Sequence, residues 1–134
     1  MYLTLLNQEE KMLFLELAYE IACADGIYSK EEKLIMDSYC KEMQIELKKE
    51  FIKMSMDEIL EKIAEVSDDR SKKIIIFEAI GLAMVDGTYA EEEKGMILHM
   101  ANLFGVENVL VKQCENVLNE YIKLQEKMNN LILV

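Results

Sequence analysis

A ten-residue phrase recurs in this chain in similar form, ADGIYSKEEK over 24–33 and VDGTYAEEEK over 85–94, and the two copies stand 61 residues apart. The shift places Asp25 on Asp86, Gly26 on Gly87, Tyr28 on Tyr89, Glu31 on Glu92, Glu32 on Glu93 and Lys33 on Lys94, six identities in nine ungapped positions. Upstream, Ala18 and Ala22 fall on Ala79 and Ala83. Self-similarity at a fixed spacing marks a duplicated structural unit. The fold must therefore accommodate the same unit twice, over about 7–44 and about 68–105.

Each copy opens with an apolar helix. In the first, Met12 to Cys23 is apolar except for Glu16 and Glu20; in the second, Ile74 to Val85 is interrupted only by Glu78 and Gly81. A helix apolar on every side belongs in the centre of a protein. The run Lys73 to Phe77 suits a strand by propensity, but its alignment with Leu13 to Glu16 reads as helix. Gly26 and Gly87 follow where a helix ends in a left-handed residue. The next helix starts after Ser29, which has capping-box spacing to Glu32; in copy two the equivalent residue is Ala90, a poor cap, with Thr88 and Glu91 at the same spacing one residue earlier. The second helices run to about Met43 and Phe104, the latter closed by Gly105. Each unit is thus a helical hairpin.

Between the copies, Ile45, Phe51 and Ile52, then Met56, Ile59, Leu60 and Ile63, have helical spacing, and Ser55 with Glu58 forms another capping box, which predicts two short helices. A last helix over about 107–129 carries Leu110, Cys114, Val117, Tyr121, Leu124 and Met128 in alternating steps of four and three. With so few heptads, the expectation is packing across the bundle; pairing with a partner helix is the alternative. The apolar end LILV is expected to tuck against the core or another subunit. Gly81 and Gly95 fall inside predicted helices, where close helix packing is the expected reason for them. With no Pro, five Gly and no Trp in 134 residues, the composition agrees: one all-α domain, 1–134, a compact bundle of about seven helices on a duplicated hairpin.

The net charge of −11 opposes nucleic acid, whose phosphates require clustered Lys and Arg, and it opposes anionic lipid. A cation or a basic protein surface suits it. No run approaches the roughly 18 apolar residues of a membrane span, and no basic region precedes the apolar start, so a cytoplasmic protein without a transmembrane segment is expected. Cys23, Cys40 and Cys114 lack metal-ligand spacing and read as reduced thiols; His99, the single histidine, reads as a helix residue rather than a base.

The acidic turns admit two readings. Asp25-Gly26 with Glu32, and Asp86-Gly87 with Glu93, fit the second half of a calcium-binding EF-hand loop, but the first half would place Ile21 and Cys23, or Leu82 and Met84, at ligand positions, which excludes that motif. A different carboxylate site remains open, drawing on Asp25, Glu31, Glu32, Asp86, Glu92 and Glu93 as ligands for Ca²⁺, Mg²⁺ or Mn²⁺. So does a purely architectural corner, in which Asp bonds the turn and the glutamates favour the positive end of the next helix.

The paired motifs, Ala24-Asp25-Gly26 with Glu31 and Glu32, and Asp86-Gly87 with Glu92 and Glu93, together with Leu103-Phe104-Gly105-Val106, resemble the TerB-like family over roughly Leu6 to Glu120. That family includes tellurite-resistance TerB proteins and the N-terminal domain of DjlA-type co-chaperones. The resemblance implies an acidic bundle of about seven helices, an association with tellurite and broader chemical-stress resistance, and metal binding through the six acids. Val85 departs from the alanine of ADG, and Ala90 lacks a capping side chain. No J domain accompanies the bundle, so a co-chaperone role is not implied. The expectation is a non-enzymatic module that binds a divalent cation, or alternatively a metal-independent adaptor docking a protein partner, or a second copy of itself, through an apolar groove or the last helix. An enzyme would need a pocket and acids with separated pKa values, which exposed helix starts seldom provide.

Overall fold

The computed structural model describes residues 1–23, 30–46, 54–85 and 89–133. Among them are six α-helices: α1 (Gln8–Ala22), α2 (Lys30–Met43), α3 (Met56–Val66), α4 (Asp69–Met84), α5 (Glu91–Phe104) and α6 (Asn108–Ile132), preceded by a 3-10 turn at Leu3–Leu5. No strand occurs among the described residues, so the chain is all-α and Lys73–Phe77 is helical. Of the two short helices expected between the repeats, one is α3. The other falls chiefly on residues 47–53, outside the described residues.

The repeat becomes two hairpins, α1–α2 and α4–α5, with α1 packed on α4. These two helices supply most of the core: Phe14, Leu15, Leu17 and Ala18 from one, and Ile75, Ile76, Ala79 and Ile80 from the other, are fully buried. Phe14 and Ile75 occupy equivalent repeat positions. The Phe14 ring meets the edge of Tyr39 from α2, with centroids 5.3 Å apart at 76°. Between the hairpins α3 packs against both α1 and α5, burying Ile59, Leu60 and Ile63. Beyond them α6 lies against α4 and α5.

Helix starts follow their side chains. Asn7 and Glu10 form a reciprocal capping box on α1, each accepting the other's backbone N–H at 2.9 Å. Ser55 accepts from Glu58 N–H at 3.2 Å, and Asp68 from Ser71 N–H at 2.8 Å, a bond that holds the Asp68 carboxyl below its usual range. Ala90 caps α5 without any side-chain bond. Ser29 and Thr88 lie outside the described residues.

Helix ends repeat as well. After α5, Gly105 sits at φ 71, with its N–H on Asn102 O and Val106 N–H on Ala101 O. After α2, Gln44 sits at φ 56, with its N–H on Lys41 O and Ile45 N–H on Cys40 O. Both are Schellman ends at equivalent positions, and a left-handed glutamine costs about 1 kcal/mol that glycine does not.

The interior glycines depart from expectation. A Cβ at Gly95 would meet nothing within 4 Å, and one at Gly81 only Leu118 Cδ2 at 3.9 Å, an ordinary contact, so neither is there to let helices approach closely.

The N-terminus is tied down by two acids. Buried Glu78 on α4 accepts the Met1 amine and Tyr2 N–H, both at 2.8 Å, while Glu42 on α2 accepts the same amine at 3.0 Å and Leu3 N–H at 3.2 Å. Leu3 is fully buried as a result, and the Tyr2 ring stands edge-on to Phe77 at 5.7 Å. Among the described residues, no helix is long and apolar enough to cross a membrane.

Candidate functional site

The six predicted acids divide into two groups. Asp25 and Asp86 lie outside the described residues. Glu31 and Glu32 stand in the first turn of α2, and Glu92 and Glu93 in the first turn of α5, where the unpaired N–H groups favour negative charge. Glu31 and Glu92 are exposed; Glu32 and Glu93 are half-buried. Among the described residues, no group of three His, Cys, Asp or Glu side chains is placed to hold a metal ion.

The repeated tyrosine has a packing role in copy two. Tyr89 lies against the core, and the Lys94 ammonium stands 5.6 Å from its ring centre. Its hydroxyl is enclosed without a partner in hydrogen-bonding geometry; burial, then the nearby Glu115 and Glu93 charges, raise its pKa.

Of the two acids that interrupt the apolar run of α1, Glu20 is exposed, but Glu16 is half-buried, with Oε2 shut from solvent and unpartnered, and burial raises its pKa. His99 is on the surface, its Nε2 3.1 Å from Asp57 Oδ1 on α3, and so ties α5 to α3. The three cysteines form no disulfide, with Cys40 buried and Cys23 and Cys114 half-buried.

The surface that stands apart is on α6. The face turned to the bundle carries Val111 and Leu118, both buried, with Cys114 and Ile122 half-buried. Leu110 and Cys114, the first two residues of the four-three seam, are half-buried, but from Val117 on the seam points elsewhere: Val117 is 55% exposed, Tyr121 40%, Leu124 54% and Met128 48%. At 3.6 residues per turn, this stripe is centred about 100° around the helix from the buried face. The expectation that the seam packs across the bundle is corrected for its part from Val117 on: α6 carries two adjacent apolar faces, and the bundle uses the one through Val111 and Leu118. From Lys123 onward every described residue is exposed, so the second half of α6 stands clear of the bundle. Leu131, Ile132 and Leu133 are not tucked against the core; each is more than three-quarters exposed.

Near the other end of the stripe, a cleft of about 440 Å³ opens between the start of α4 and the start of α6, with Asp69 and Lys73 on one wall and Val106, Val109, Leu110 and Gln113 on the other. Isolated exposed apolar residues are ordinary, but a row of them on one helix face is characteristic of a contact surface.

The chain matches no protein-family model, no curated protein and no solved structure.

Proposed function

We propose that this chain is a non-enzymatic helical interaction module, of the TerB-like type that its paired acidic motifs resemble, and that its working surface is the outward stripe of α6. The observation that carries this reading is the exposure of Val117, Tyr121, Leu124 and Met128 on one face of a helix whose other apolar face is already in use. The stripe is helical before any partner arrives, so docking needs little further ordering of the backbone. An amphipathic helix is the partner shape that i, i+3, i+4 anchors accept.

Site-specific photocrosslinking in cells tests this. A benzophenone side chain at Val117 or Leu124 is expected to give a discrete adduct, and one at Glu126, on the opposite side of α6, is not. Absence of adducts from the stripe, or equal labelling from both sides, would refute the assignment.

A second reading concerns the acidic turns. The glutamates occupy matching first-turn positions on α2 and α5, so the two turns offer the same pair of acids. With Asp25 and Asp86 completing each set, the turns would bind a divalent cation weakly, with a dissociation constant on the order of 0.1–1 mM. Calorimetric titration with Ca²⁺, Mg²⁺ and Mn²⁺ should give saturable heat that Asp25→Asn and Asp86→Asn each reduce. If no heat and no thermal shift develop with any of the three, this reading is lost.

A further inference from the structure

The α6 stripe has a register. Cys114, Tyr121 and Met128 alternate with Val117, Leu124 and Leu131 in steps of three and four, as the a and d positions of a coiled-coil heptad do. On that assignment the e positions are Val111, Leu118, Gln125 and Ile132, and the g positions are Gln113, Glu120 and Lys127. Val111 and Leu118 are buried in the bundle. A helix lying on the stripe therefore has the bundle along its e flank and water along its g flank.

We propose that this helix is α6 of a second copy of the chain, running antiparallel. The proposal rests on the preceding assignment of the stripe as the working surface and names its occupant. Antiparallel helices set a against d. The register that places Tyr121 against Leu124 of the partner subunit also places Met128 against Val117 of the partner subunit, and Cys114 against Leu131 of the partner subunit. Every layer is then apolar on both sides, and twofold symmetry repeats each one.

Charge complementarity selects this orientation. Antiparallel pairing sets g beside g, which brings Glu120 next to Lys127 of the partner subunit, and symmetry forms that opposite-charge pair twice. Parallel pairing sets g beside e, so Glu120 would meet Gln125 and Lys127 would meet Ile132, with no charge attraction in either contact.

The same register fits the remaining surface. The exposed second half of each α6 lies along the anchored first half of the other, and Leu131 and Ile132 of the partner subunit reach the edge of the cleft beside Leu110 and Gln113. Since the first half of α6 is held by α4 and α5, the contact joins helices already formed. An interface this short belongs to the small, reversible class, with a dissociation constant on the order of 10 μM.

Sedimentation equilibrium of the whole chain, from about 1 to about 500 μM, provides the test. A monomer–dimer equilibrium is expected, and Leu124→Glu should leave only monomer. Glu120→Lys should weaken dimerisation roughly fivefold by turning both pairs repulsive, and adding Lys127→Glu should restore it. All three sites are exposed, so circular dichroism should be unchanged in every variant. A parent chain that stays monomeric across the range overturns the proposal. So does a dimer that Glu120→Lys leaves as tight as before, or one that the double exchange fails to rescue. The photocrosslinks separate this failure from that of the docking surface itself. Stripe adducts at twice the 15.6 kDa of the chain support the second copy. Adducts only with other proteins sink it and leave the docking surface standing, and the absence of stripe adducts sinks both.

Discussion

Phe14→Ala is expected to lower the thermal midpoint by roughly 10–15 °C, the largest effect of any single truncation considered. Phe14 is fully buried on α1, and its ring forms a T-shaped pair with Tyr39 of α2. Truncation removes the ring's transfer free energy, leaves a ring-sized void between α1 and α2, and strips Tyr39 of its aromatic neighbour. Substitutions of this kind cost about 3–5 kcal/mol, and close packing limits how far neighbours can collapse to recover it. For a domain of this length, each kcal/mol moves the midpoint by about 3–4 °C. A calorimetric scan decides the matter: a drop under about 4 °C would mean that the ring is not the keystone of the first hairpin.

Glu78→Ala is expected to cost about 2 kcal/mol at pH 7, roughly 6–8 °C, and to do so with a distinctive pH dependence. The carboxylate is almost wholly buried, yet it accepts both the Met1 amine and Tyr2 N–H at 2.8 Å. Removing it deprives the 3-10 turn of its anchor and leaves Glu42 as the amine's acidic partner. Burial alone would lower the pKa of the amine; the hydrogen bonds to Glu78 and Glu42 and their charges outweigh it, so the pKa is raised above 8.0. The sign follows from linkage. A group whose folded pKa is raised contributes its full stability below its unfolded pKa and loses it as pH climbs through the folded value. The gap between parent and Glu78→Ala should therefore narrow between pH 8 and about pH 10, whereas the Phe14→Ala gap should not. Melting curves at the two pH values, on the chain that starts at Met1, provide the check. A gap of constant size would show that the amine is not the partner that matters.

Much of this architecture was legible because the physics that fixes it is local. Two helices apolar on all sides, repeated 61 residues apart, require a central pair with satellites, and α1 against α4 is that pair. The ends of α2 and α5 fall at Met43 and Phe104, as the pattern predicts. Gly105 announced the second of these. Gln44 did not, because a left-handed glutamine leaves no local signal; only its alignment with Gly105 identifies it. The Asn7–Glu10 capping box was written in the sequence and overshadowed by the repeated turns.

The surface was harder to read. Periodicity locates an apolar stripe on a helix but says nothing about which neighbour covers it. On α6 two such stripes lie side by side, one through Val111 and Leu118 and the other through Val117, Tyr121 and Leu124. The second has the better heptad spacing and the first has the bundle. Only packing could assign them. The role of Glu78 was equally hidden, since an acid in an apolar run reads as an interruption until its partner, an amine 77 residues away, is in place.

The contact between α1 and α4 also shapes how the chain must fold. Each hairpin can form from neighbours in sequence, but neither can cover its own central helix: α1 also needs α3 and α4, and α4 also needs α1 and α6. The native core thus appears only when segments some sixty residues apart dock, which closes a long loop for an entropic cost that grows only logarithmically with its length. The two halves are consequently not separable units, and a break anywhere between them would turn an intramolecular encounter into a bimolecular one.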